Sequence, residues 1–142
     1  MIQQLPPRSA HDLREADPSI VHLDVRTPAE FAAGHPTGAW NVPIALPVQG
    51  GMGPNPEFLT VAALVAPDKG ARVVVSCAAG GRSQRACEEL ERSGWKNLVN
   101  VLGGFSGARD AGFQLQTPGW RDAGLPVATD AERDWSRCRA KA

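Results

Sequence analysis

Apolar residues fall in short β-branched runs, separated by stretches in which they recur every three or four positions. The runs predict buried strands, and the spacing between them predicts amphipathic helices. Ile2 to Leu5 predicts an edge strand stopped by Pro6-Pro7. Ser9-Ala10-His11-Asp12 predicts a helix start, with a side-chain oxygen at the N-cap and an acid in the first turn, and an end near Asp17-Pro18. Ile20-Val21-His22-Leu23 reads as the next strand, delivering Asp24, Val25 and Arg26 at its carboxyl end. Thr27-Pro28-Ala29-Glu30 is a capping box with proline at the first helical position, and Gly34 closes a short helix. Ala39 to Val42 predicts another strand, and Ile44 to Pro54, with three glycines and two prolines, an overhanging loop. Asn55-Pro56-Glu57 caps a helix carrying Phe58, Leu59, Ala62 and Leu64, which Pro67 stops.

Arg72 to Ser76 is the central strand of this pattern. Gln84 to Ser93 reads as a helix with Gly94 beyond its end, and Leu98 to Leu102 as a strand before Gly103-Gly104. After Phe105 the chain is glycine-rich to Gly112; Thr117-Pro118-Gly119-Trp120 then opens a short helix ending at Gly124. Thr129-Asp130-Ala131-Glu132 is a second capping box, opening a C-terminal helix with Trp135 and Cys138 on one side. Strands alternating with helices predict an α/β fold: a parallel central sheet flanked by helices on both faces. Ligands of such sheets bind beyond the carboxyl ends of the strands, where Asp24 and Cys77 fall.

Composition narrows the functional classes. The 142 residues, 42% hydrophobic and 21% charged, suit one globular domain over residues 1–128 with a helical tail at 129–142. Fifteen basic and fifteen acidic residues cancel, so no nucleic-acid partner is expected. Cys77, Cys87 and Cys138 form no CxxC pair and no Cys/His cluster, which argues for free thiols in a reducing, cytoplasmic compartment without metal or cofactor. The first residues lack the pattern of a signal peptide, and no apolar run is long enough to span a bilayer.

The chemistry concentrates at Cys77-Ala78-Ala79-Gly80-Gly81-Arg82-Ser83. A strand–loop–helix turn there aims orphan backbone N–H groups, and the positive end of a helix dipole, at one small space. Lowering a cysteine pKa by about 2 units needs about 2.7 kcal/mol. The dipole supplies about 0.3–2 kcal/mol, so charge-assisted hydrogen bonds of about 1.5–3 kcal/mol each must complete the effect. The loop N–H groups, Ser83 and Arg82 are the expected donors, with Gly80 and Gly81 allowing close backbone approach.

These residues, with Asp24-Val25-Arg26, Glu30-Phe31, Gly34-His35, Gly38-Ala39, Asn41-Val42-Pro43, Gly103-Gly104-Phe105 and Gly124-Leu125-Pro126, make the chain resemble a single-domain rhodanese. The resemblance runs from Leu5 to Val127 and implies the three-layer fold of that family. It also implies thiosulfate or persulfide sulfurtransferase activity. Cys77 would take sulfur from a small-molecule donor and pass the resulting persulfide sulfur to a thiol, a protein acceptor or cyanide. Residues Ala78 to Ser83 would bind the donor, with Asp24 and Arg26 ordering the loop. Six residues from Cys77 to Arg82, and Ser76 before the cysteine, resemble sulfurtransferases rather than the related phosphatases, whose loop is one residue longer and preceded by His. Ala78 and Ala79 stand where many sulfurtransferases carry a basic residue, which implies a preference for persulfide donors. A non-catalytic docking module is the alternative outside enzymology, and a redox sensor pairing Cys77 with Cys87 or Cys138 is a third.

Elsewhere the expectations are plainer. Glu30 serves as a helix cap and Arg26 pairs with it; His35 is a hydrogen-bonded structural residue; Cys87 is a small core residue; Cys138 is exposed on the last helix. The segment between Gly104 and Trp120 reads as an insert that, with Ile44 to Pro54, shapes donor access.

Overall fold

A computed structural model describes all 142 residues. The chain runs β1 (Ile2–Leu5), α1 (Pro7–Ala16), β2 (Val21–Asp24), α2 (Pro28–Ala33), β3 (His35–Pro36), β4 (Trp40–Asn41), β5 (Ala45–Val48) and β6 (Gly51–Pro54). It continues through α3 (Phe58–Val65), β7 (Arg72–Ser76), α4 (Gly81–Arg92), β8 (Asn97–Val101), β9 (Ala108–Arg109), β10 (Leu115–Thr117), β11 (Val127–Ala128) and α5 (Trp135–Arg139). Five strands form one parallel sheet in the order β1-β8-β7-β2-β4, with β7 at its centre.

A parallel strand covered on both faces needs a continuous apolar run, and β7 has one at Val73–Val75. Val73 and Val75 join the larger core with Leu23, Leu98 and the inner faces of α3, α4 and α5, while Val74 joins Val99, Val101 and Ala10 of α1 on the opposite face. Helices therefore cover both sides, as the alternation of strands and helices predicts. Trp135 and Cys138 of α5 belong to the same larger core.

The structure departs from the sequence-based expectations where tertiary hydrogen bonds redirect the chain. Helix α1 begins at Pro7 with Pro6 as its N-cap and no side-chain cap, so Ser9 lies inside it; proline's fixed φ and missing N–H suit a first helical position. The expected loop at Ile44–Pro54 is an antiparallel hairpin, Ala45 opposite Pro54 and Val48 opposite Gly51, turning at Gln49-Gly50 with Gly50 at φ 91°. In α3 the buried side chains are Phe58, Val61, Ala62 and Val65, leaving Leu59 and Leu64 exposed. No helix forms at Thr117–Gly124: the Trp120 and Arg121 N–H groups donate to the carbonyls of Gly104 and Phe105 instead. The second capping box also fails to close. Asp130 accepts from the Glu132 N–H in a local turn, the Arg133 carbonyl pairs with Asn41 of β4, and Asp134 caps α5.

Beneath the sheet's α1 face lies His22, 1% exposed. Arg14 donates to its Nδ1 at 3.0 Å, which makes Nδ1 the acceptor and leaves the Nε2–H to donate to Ser76 Oγ at 2.7 Å. Burial, then the charges of Arg14 and Arg26, hold the imidazole pKa well below 6.5. The unfolded chain therefore takes up a proton below pH 6.5 that the native state refuses, so stability falls as pH drops through that value. The loss should show between about pH 7.5 and about pH 5.5, on either side of the ordinary imidazole value. Urea unfolding of the parent and of His22→Gln at both pH values checks this: the variant should lose less.

Candidate active site

Strand β7 ends at Ser76, and the next residue turns its side chain back toward the sheet's helix-covered face. The Cys77 sulfur accepts from the Gly80 N–H at 3.1 Å and lies 3.3 Å from Ser83 Oγ. Gly80 makes the first contact possible: at φ 119° and ψ −13° it is left-handed, a conformation open to glycine without strain. Helix α4 starts at Gly81, three residues earlier than its polarity pattern predicts, so Gly81, Arg82 and Ser83 occupy its first turn rather than a free loop. Their N–H groups have no intrahelical partner and bring the positive end of the helix toward the loop.

Two expectations about this loop are corrected by the geometry. One backbone N–H, not a ring of them, reaches the sulfur. Arg82 does not donate to it either. Its Nη1 and Nη2 grip Glu30 Oε1 and Oε2 at 2.8 and 2.9 Å. Cys77 is 1% exposed, whereas Ala79 and Gly81 of the loop are open to solvent.

A second turn supports the loop from beneath. The Phe105 N–H donates to the Cys77 carbonyl at 2.7 Å and the Ser106 N–H to the Ala78 carbonyl at 2.8 Å. Gly104, at φ 54°, lies so close to the Cys77 carbonyl and to Ala78 that a Cβ would collide with both. Gly103-Gly104 is thus a tight turn and also the only kind of surface the loop backbone can rest against.

Asp24 and Arg26 lie at the neighbouring strand end, 0% and 3% exposed. Arg26 pairs with Asp24 rather than with Glu30: its Nε lies 3.0 and 3.1 Å from the two carboxylate oxygens and its Nη2 2.7 Å from Oδ2. It also donates to the Gly34 carbonyl at 2.7 Å and lies over the Phe105 ring. The pair therefore touches the turn that carries Phe105 and not the cysteine loop itself.

Glu30 does more than cap α2. Its Oε1 accepts from the Thr27 N–H and hydroxyl in the expected capping box and from Arg82 as well. The Arg82 hydrogen bonds, and secondarily those of Thr27, lower the Glu30 pKa to about 2. The signal in the sequence was the box itself, which places a carboxylate at the entrance of α2.

These features carry a family signature. Residues 7–111 match the family model described as "Rhodanese-like domain". The chain belongs to that family. It is 36% identical over 118 residues to thiosulfate sulfurtransferase 16, chloroplastic, of Arabidopsis thaliana, covering 83% of this chain and 86% of that one. It is 41% identical over 97 residues to the mitochondrial protein HIGH ARSENIC CONTENT 1 of Arabidopsis thaliana, which covers 68% of this chain but 57% of that protein. The chain thus spans little more than half the length of some curated relatives it matches. Among solved structures it superposes on Rv0390 from M. tuberculosis with a TM-score of 0.75 and 30% identity, covering 90% and 98% of the two chains.

Within this rhodanese-like domain the other two thiols are poorly disposed to react. Burial, followed by the nearby Cys77, pushes the Cys87 thiol up to about 12, and burial, followed by Asp134, pushes Cys138 up to about 11. Cys138 is 0% exposed, correcting the expectation of an exposed terminal thiol: its helix packs against α3 with that face inward. His35 is structural as expected, bonded to the Phe31 carbonyl and stacked on its ring. The Ala45–Pro54 hairpin and α4 line a cleft of about 250 Å³ that includes Ile44, Met52, Asn55 and Arg85. The structure includes no group of three or more His, Cys, Asp and Glu able to hold a metal, and no helix is long and apolar enough to cross a membrane.

Two outcomes follow for the site. With a folded Glu30 pKa near 2 against 4.5 unfolded, the Glu30–Arg82 pair stabilises the native state above pH 4.5 and loses that contribution between 4.5 and about 2. Acid titrations of stability should show this loss in the parent and a shallower one in Glu30→Gln. Gly104→Ala should cost at least the ~1–3 kcal/mol of a strained left-handed residue, measured by denaturant unfolding, and displace the cysteine loop.

Proposed function

We propose that this domain is a sulfurtransferase that carries sulfane sulfur on Cys77, from thiosulfate or a persulfide to a thiol, a protein or cyanide. The observation that carries the reading is the Cys77 sulfur at the end of the central strand, met by the Gly80 N–H and facing the Ser83 hydroxyl in a six-residue loop. Relatives named thiosulfate sulfurtransferase support it.

The Cys77 thiolate attacks the outer sulfur of the donor. A sulfur–sulfur bond forms, and the bond to the donor's inner sulfur breaks. With thiosulfate, sulfite leaves with the electron pair and Cys77 becomes a persulfide. An acceptor thiolate then attacks the terminal sulfur and Cys77 departs as thiolate, so the cycle is redox-neutral and needs no cofactor. Ala78 to Ser83 surround the transferred sulfur, and Asp24 and Arg26 support the loop. With Ala78 and Ala79 neutral and Arg82 engaged by Glu30, no loop cation is free to attract dianionic thiosulfate, which favours persulfide donors. Three free thiols suit a reducing compartment such as the cytoplasm.

The near-complete cover over Cys77 is what a docking module would also show. Intact mass after donor treatment separates the two. The enzyme gains one sulfur on Cys77, more readily from glutathione persulfide than from thiosulfate, and Cys77→Ser gains none. A parent protein that gains nothing, or a Cys77→Ser protein that still turns over in cyanolysis, overturns the assignment.

A further inference from the structure

The Ser83 hydroxyl has one proton and three acceptors around it. Asn100 Oδ1 lies at 2.5 Å, the Gly80 carbonyl at 3.2 Å and the Cys77 sulfur at 3.3 Å. Distance awards the proton to Asn100. Ser83 is 0% exposed and Asn100 3%, so no water competes for either side chain. Asn100 is the polar residue within the buried part of β8, and the alternation of the strand puts it on the α4 side together with Leu98.

The direction of the Asn100 amide is set by a chain of neighbours that reaches the surface. Glu88 is a carboxylate and can only accept, so Gln84 turns its Nε2 toward it at 3.3 Å and presents its Oε1 inward. Gln4 Nε2 donates to that oxygen at 2.6 Å, which leaves Gln4 Oε1 to accept from Asn100 Nδ2 at 2.8 Å. Asn100 Nδ2 also lies 3.3 Å from Gln84 Oε1. With its amide nitrogen so committed, Asn100 must offer its oxygen to Ser83. Each amide fixes the orientation of the next, from the outside of α4 to the catalytic loop.

We infer that Asn100 is a positioning residue for the reaction proposed above: it draws the Ser83 proton away from Cys77 and so restrains formation of the thiolate. Ionisation of the thiol strengthens the sulfur as an acceptor, since bonds to a charged partner are about twice as strong as neutral ones. Ser83 can then serve the thiolate only by leaving Asn100 Oδ1 unpaired in a buried site, which opposes the change. The other charged or titratable groups around the sulfur are Arg82 and Cys87 on α4, with Asp24 and Arg26 at the end of β2. None of their side chains hydrogen-bonds to the side chain of Ser83 or Asn100, so the restraint acts through the hydroxyl.

The test reads the thiolate by its ultraviolet absorbance against pH, each protein being referenced to its own Cys77→Ser counterpart. In Asn100→Leu the freed Ser83 hydroxyl turns to the sulfur, and the thiolate fraction at a fixed pH on the acid limb should rise about tenfold. Ser83→Ala should lower it, and in the Ser83→Ala background Asn100→Leu should have no effect. A merely structural role for Asn100 predicts no such dependence on Ser83. An unchanged or lower thiolate fraction in Asn100→Leu, or an equal rise without Ser83, overturns the proposal. If Asn100→Leu fails to fold, the double variant Gln4→Leu/Gln84→Leu, at an exposed and a half-buried position, frees the amide to turn over and should give a smaller rise, its absence being equally fatal. Because the readout is ionisation and not sulfur transfer, these outcomes stand apart from any failure of the persulfide mass test.

Discussion

The loop that holds Cys77 depends on two backbone hydrogen bonds from another turn, Phe105 N–H to the Cys77 carbonyl and Ser106 N–H to the Ala78 carbonyl. The Cys77 and Ala78 carbonyls are paired with no donor of the loop itself, and buried carbonyls need partners. The acceptors must be met from outside, and the turn after β8 meets them. It can do so only because Gly104 has no Cβ to strike the Cys77 carbonyl. The parallel pairing of β7 with β8 brings the two strand ends level, so the sheet register itself delivers donor to acceptor.

Two ion pairs brace this assembly in different ways. Asp24 and Arg26 are buried, so their desolvation must be offset by complete hydrogen bonding, and Arg26 accordingly adds the Gly34 carbonyl and the Phe105 ring to its carboxylate partner. Its consequence is geometric: it packs against the Phe105 turn on which the loop rests. Glu30 and Arg82 are partly open to solvent, so the pair contributes less to stability than its short distances suggest. Its importance lies in removing Arg82 from the sulfur and tying the first turn of α4 to α2. The thiol is left with a backbone N–H and a hydroxyl whose proton is contested by Asn100.

Much of this arrangement was legible along the chain. The β-branched run at Val73–Val75, the Thr27–Glu30 capping box and the Gly80-Gly81-Arg82-Ser83 tail each announced an element or a turn through local stereochemistry, which needs no distant partner. What local rules missed were the places where a remote group took a donor or acceptor first. The Thr117–Gly124 segment has the composition of a helix start, but its N–H groups go to Gly104 and Phe105. Cys138 looked exposed because one turn of helix does not say which face another helix will cover.

The amino-acid sequence by itself determined the alternation of strands and helices, the position of Cys77 at a strand end and the glycines that permit the turn, since backbone torsion and hydrophobic period are local properties. Tertiary structure alone decided which partner each polar group accepts. Arg82 faces Glu30 across 52 positions of chain and Asn100 faces Ser83 across 17, and such pairings exist only once the sheet has stacked its strands in register. A side chain carries its hydrogen-bonding capacity in its chemistry, but competition for a proton is settled by distance, and distance between remote residues is a property of the fold.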